Sequence, residues 1–150
     1  MPARRKSRQR AIQVLFLWDL RKIPVNEALS AFYDSLYSSE GEDESGEERE
    51  TPPARDGFME TLVRGTAAEA GELDAMIAVR AEHWRLERMP AVDRNILRLA
   101  IYEMKSLGTA PAIVIDEALE LARRFSEEEA VPFLNGVLDA IRKQLPTATP

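Results

Sequence analysis

The chain of 150 residues contains no cysteine and one histidine, His83. The first absence excludes disulfides, thiolate catalysis and cysteine-based zinc or iron–sulfur sites together. The second excludes a histidine-pair metal site. With no second ligand in sight, His83 reads as a partly exposed residue near a helix end. No run approaches the roughly 20 apolar residues that span a bilayer. The basic start resembles the leading part of an export signal, but Gln13 and Asp19 interrupt the apolar stretch behind it and no small-residue cleavage site follows. It is therefore read as mature structure. Neither a phosphate-cradling P-loop nor a dinucleotide fingerprint occurs. Asp116, Glu117 and Glu120 fall at the spacing of a solvated helix face, with Glu120 able to pair with Arg124 one turn on. Asp93, Arg94, Arg98 and Glu103 read as ion pairs of a surface or helix interface. No nucleophile stands beside a base, so neither an enzyme nor a bound metal or cofactor is expected.

What the chain does have is charge, unevenly placed. Residues 4–10 carry Arg4, Arg5, Lys6, Arg8 and Arg10 with no acid among them. Residues 40–50 carry seven carboxylates against Arg49, a net of −6, which equals the net charge of the entire chain. Outside that block the charges cancel. Residues 38–55 also have no apolar residue beyond Ala54 and two prolines, and mix Gly, Ser and Pro with like charge. Such a segment buries too little surface to offset its ordering entropy and is expected to be a mobile insertion rather than a domain boundary.

Elsewhere apolar residues recur at helical spacing. Ala11, Val14, Leu15 and Trp18 define a first helix, expected over residues 7–22 and stopped before Pro24. A second is expected over residues 26–37 with Asn26 as its N-cap. Asp56 suits the cap of a third. Gly65 and Gly71 read as two breaks before a fourth helix carrying Leu73, Met76 and Ile77. Pro90 fits the first turn of a helix running to about Lys105, ended by Gly108. Pro111 and Pro132 each suit the start of a further helix. The short run Ile113–Val114–Ile115 is the only hint of a strand and is too isolated to make a sheet. One all-α domain of about seven helices, covering residues 1–150, is the expectation, with a basic arm at about residues 1–8.

A cationic arm leading into a helix that carries an aromatic, Phe16, matches the way single-stranded RNA is gripped. Charges track phosphates while a ring stacks on a base. If all five cations met phosphates, log affinity would fall with log salt at a slope of roughly −3.5.

Five stretches then resemble one family: RRKSRQRAIQVLFLWDL at residues 4–20, LVRG at 62–65, MPAVDRNILRLAIYEM at 89–104, VIDEALELARRF at 114–125 and FLNGVLDAI at 133–141. Together, in this order, they are similar to the NusB family of bacterial transcription antitermination factors. The resemblance implies two packed three-helix subbundles and no enzymatic activity. It implies binding to the single-stranded boxA element of ribosomal RNA operons together with NusE, a small-subunit ribosomal protein, within the antitermination complex on RNA polymerase; the lack of cysteine fits a reducing cytoplasm. By motif position it implies RNA contacts from Arg4, Arg5, Lys6, Arg8, Arg10, Phe16, Glu129 and Phe133, and partner contacts from Asp93 and Arg94. Phe16 takes the place of a tyrosine common in the family, keeping the ring and losing the hydroxyl. Gly136, inside a helix, implies close packing by another helix. The rival readings are the RNA-binding domain of an RNA methyltransferase and a structural homodimeric adaptor. The arm is expected to lie outside the core, so neutralising Arg4, Arg5, Lys6 and Arg8 is expected to spare the fold.

Overall fold

The structure is a computed structural model and describes residues 3–40, 54–81 and 86–146. Most of the expected acidic insertion, and also His83 and Trp84, lie outside the described residues. Among the described residues there are seven α-helices and no strand: α1 (Arg4–Arg21), α2 (Val25–Glu40), α3 (Gly57–Ala68), α4 (Ala70–Arg80), α5 (Ala91–Ser106), α6 (Pro111–Phe125) and α7 (Ala130–Arg142), with one 3₁₀ turn at Leu86–Arg88. No helix among them is long and apolar enough to cross a membrane.

The expected two subbundles are present. Helices α1, α2 and α3 pack on one another, as do α5, α6 and α7, while α4 lies against α5 and α7. Helix α5 joins the two groups through contacts with α1 and α3. Its sequence explains its central place, because every residue from Asn95 to Met104 is buried. Asn95, Arg98 and Glu103 are among these residues, and each is paired, so α5 lies in the middle of the bundle without being apolar all round. Ile96, Leu97, Leu99 and Ile101 meet Ile12, Leu15, Leu62, Leu134 and Leu138 in one continuous core.

Local chemistry places several helix ends as expected. Asp56 caps α3, accepting a hydrogen bond from the Met59 amide at 3.0 Å. Pro111 opens α6, where a missing N–H is harmless. Gly108 takes a left-handed φ of 70° between α5 and α6. Other expectations are corrected. Helix α1 begins at Arg4 rather than at residue 7, so the basic run is helical. Asn26 lies inside α2, not at its cap, and its Oδ1 accepts from Arg64 at 2.7 Å. Pro132 is the third residue of α7, still within the first turn, where amides have no helical partner.

Gly65 does not break a helix; it lies inside α3. A Cβ there would overlap the Tyr102 ring of α5. The glycine is what lets the two helices approach so closely, a requirement set by a residue far away in the chain.

Candidate nucleic-acid interface

The basic residues of α1 divide into two kinds. Arg8 is buried and grips Glu103 of α5 with two bonds of 2.8 and 2.6 Å. Arg10 reaches Asp56 at 3.2 Å, and the same carboxylate accepts from Ser7 at 2.9 Å. These side chains fasten α1 to α5 and α3. Arg8 therefore lies within the core, contrary to the expectation of an arm outside it. Arg4, Arg5 and Lys6 are exposed. The Arg4 guanidinium sits 3.9 Å from the centre of the Phe58 ring. Arg5 forms a fork with Glu117 of α6 at 3.1 and 3.0 Å, and the bond to Arg5 holds the Glu117 carboxyl below its ordinary pKa. Lys6 makes no ion pair among the described residues.

Phe16 is 38 % exposed, large for an aromatic on a helix that buries Ala11, Ile12, Val14 and Leu15. Lys6, Gln9, Gln13, Phe16 and Leu20 recur at alternating steps of three and four and so share one face of α1. Gln13 and Leu20 are exposed as well. The face thus offers a cation, two amides and a ring in line. The amides were not singled out from the sequence, although the spacing from Lys6 to Phe16 was there to show them.

Away from α1, Phe133 lines a cleft of about 290 Å³ together with Met89, Pro90, Asp93, Glu127, Glu129 and Ala130. Its floor is apolar. Glu127 and Glu129 are exposed at its rim, in the turn between α6 and α7. A ring beside carboxylate acceptors can hold a flat ligand bearing N–H groups.

Asp93 and Arg94 turn inward. Asp93 is buried and accepts a short hydrogen bond from Ser126 at the end of α6. Arg94 donates to Asp19 of α1 at 2.5 Å and to the Met89 carbonyl at 2.9 Å. Asp19 also accepts from Asn95 at 2.9 Å and from Arg98 at 3.1 Å, while Arg98 forks onto Asp74 of α4. The first turn of α5 is where α1, α4 and the segment before it converge, so its polar side chains are consumed there. Burial alone would raise the Asp19 carboxyl, but Arg94, Arg98 and Asn95 outweigh it and hold the pKa below the ordinary value. A depressed carboxylate contributes stability above its unfolded pKa of about 4, lost as pH falls through the folded value. Asp19→Asn is thus expected to flatten the acid limb of a stability–pH curve below about pH 4. An unchanged acid limb in denaturant titrations would contradict this.

Gly136 corrects another expectation. Among the described residues nothing lies within 4 Å of where its Cβ would be, so none of the seven helices packs on it. Among the described residues no group of three or more His, Cys, Asp or Glu could hold a metal ion.

Comparison with known proteins gives one consistent answer. The sequence model of the NusB family matches residues 5–143. "Transcription antitermination protein NusB" of Solibacter usitatus (strain Ellin6076) is 57 % identical over 97 % of this chain and 92 % of its own length. The protein of the same name from Salinispora arenicola is 43 % identical over 94 % of this chain and 96 % of its own. Among solved structures, T. maritima NusB superposes with a TM-score of 0.77 at 29 % identity, covering 96 % of this chain and 93 % of that one. A structure of the antitermination factors NusB and NusE in complex with dsRNA gives 0.74 at 27 % identity, covering 93 % and 96 %.

Proposed function

The chain belongs to the NusB family of transcription antitermination proteins, and on that premise we propose that it binds single-stranded boxA RNA with NusE and helps RNA polymerase pass early terminators. NusE and RNA are the partners held by a relative of the same fold. Engagement of elongating polymerase, a cytoplasmic location and self-association of the free chain through the same surface belong to this proposal. The observation that carries it is the face of α1 from Lys6 to Phe16, flanked by the exposed Arg4 and Arg5. Lys6, Arg4 and Arg5 supply charge to phosphates. Phe16 supplies a stacking surface, and Phe133 with Glu129 supplies a second ring and an acceptor for a base edge. Arg8 and Arg10 serve the interface from below by fixing the helix that presents it.

An adaptor without RNA binding has no use for an exposed aromatic aligned with cations. A methyltransferase domain is disfavoured because the relatives that match over most of their own length are antitermination proteins.

With Arg8 and Arg10 bound inside, Arg4, Lys6 and, once it leaves Glu117, Arg5 remain for phosphates, which lowers the expected salt slope to about −2 at most. The triple variant Arg4→Gln, Arg5→Gln, Lys6→Gln is expected to melt close to the parent, bind boxA RNA at least about tenfold more weakly and lose most of that slope. Phe16→Ala is expected to lower affinity by about 1–3 kcal/mol, the usual worth of one stacked base. Fluorescence anisotropy at several salt concentrations, with boxA and scrambled oligonucleotides and saturating NusE, measures both. Parental affinity and slope in the triple variant would refute the reading.

A further inference from the structure

We propose that the open face of α7 around Gly136 is a contact surface for the sugar–phosphate backbone of single-stranded RNA leaving Phe133; this rests on the RNA-binding reading and extends it to a part of the molecule that no expectation assigned.

A glycine inside a helix is disfavoured relative to alanine, because it loses more backbone freedom on folding. Gly65 shows the usual compensation, a helix that could not otherwise come so near. Gly136 has none among the described residues, since a Cβ there would meet open space. The bare Cα leaves this turn of α7 open, and unlike the equally open Gly71 it stands beside a ring of the RNA-binding reading.

Its position says what that is. Glu129, Phe133, Gly136, Ala140 and Lys143 follow steps of four and three along α7 and its last turn, so they form one stripe. Gly136 lies three residues beyond Phe133, about 4.5 Å along the axis. A strand with a base against Phe133 would have its backbone over the next turn, where a bare Cα lets it come close. Asn135 beside it is exposed and offers both a donor and an acceptor, which a ribose 2′-hydroxyl can answer.

Charge sets the direction. Glu127, Glu128 and Glu129 are exposed at the start of α7 and repel phosphates. At the far end, Arg142 and Lys143 share the single carboxylate of Asp139, at 2.9 and 3.1 Å, leaving a net positive charge. A polyanion is driven from the Phe133 cleft along α7 toward Lys143, across Gly136.

The test uses the full chain with saturating NusE, labelled single-stranded boxA RNA and a scrambled control. Gly136→Ala is expected to raise the melting temperature and yet weaken boxA binding at least fivefold, with NusE binding measured without RNA unchanged. Gly71→Ala, at an equally open glycine in the first turn of α4, is expected to leave RNA binding as it was. Stability gained with affinity lost is a pattern that a purely structural glycine cannot produce. Parental RNA affinity in Gly136→Ala overturns the inference while leaving the RNA reading intact. So does a variant that binds RNA normally and loses NusE, which would make the face a protein site. A parent chain that fails to distinguish boxA from scrambled RNA overturns the reading and this inference together.

Discussion

Arg8→Ala is expected to destabilise the fold by about 3–5 kcal/mol, because it strands Glu103, only 1 % exposed, without its partner. In a domain of this size that lowers the melting temperature by roughly 10 °C. Alanine at Arg4 or Lys6 removes an exposed side chain and is expected to shift it little. This reverses the expectation that neutralising Arg4, Arg5, Lys6 and Arg8 together would spare the fold. The double variant Arg8→Met, Glu103→Leu separates the two roles that Arg8 could have. Replacing both members of a buried pair with apolar groups of similar size is often neutral or better. If Arg8 acts only as a fastener, the double variant regains stability and binds boxA RNA like the parent. A stable double variant that has lost RNA binding would return Arg8 to the contact surface. Thermal unfolding followed by circular dichroism, with anisotropy on the same samples, gives both readouts.

Gly65→Val is expected to destabilise by about 3 kcal/mol, at the upper end of what overpacking usually does. The new atoms fall on the Tyr102 ring, which lies between α3 and the buried α5 and is itself only 7 % exposed. Phenylalanine at 102 gives no relief, because the clash involves ring carbons as well as the hydroxyl. Tyr102→Ala opens space, so the pair Gly65→Val, Tyr102→Ala is expected to be less damaging than the sum of the two single changes. A double-mutant cycle in denaturant measures that coupling. Strict additivity would place the strain of Gly65→Val elsewhere.

These two positions show what can be read along a chain and what cannot. Helix starts governed by neighbours were legible: Asp56 caps α3, and Pro111 opens α6. The extent of α5, read from Pro90 to about Lys105, was legible to within a residue at each end. Gly65 was misread because its reason, Tyr102, sits 37 residues away, and a local rule sees only a helix breaker. Arg8 was misread in the same way. Five cations within seven residues look alike in one dimension, and only the fold reveals that Glu103 of α5, Asp56 and Glu117 of α6 each hold one of them. Asp93 and Arg94 were expected to face a partner, yet Ser126 and Asp19 hold them inside. Phe16 and Phe133 were legible as aromatics at the motif positions, and their partial exposure agrees with a surface role. Gly136 was noticed for a sound reason, its poor fit to a helix interior, but the explanation by packing finds no neighbour among the described residues.

The ties from α1 to α3 and α5 through Asp56 and Glu103 have a thermodynamic corollary. A platform already bolted in place surrenders little freedom when a ligand lands on it, so the ordering penalty of association falls almost wholly on the nucleotide chain. Complex formation should then lack the large negative heat-capacity change of coupled folding, and occupancy should register as a rise in the melting point of the entire molecule.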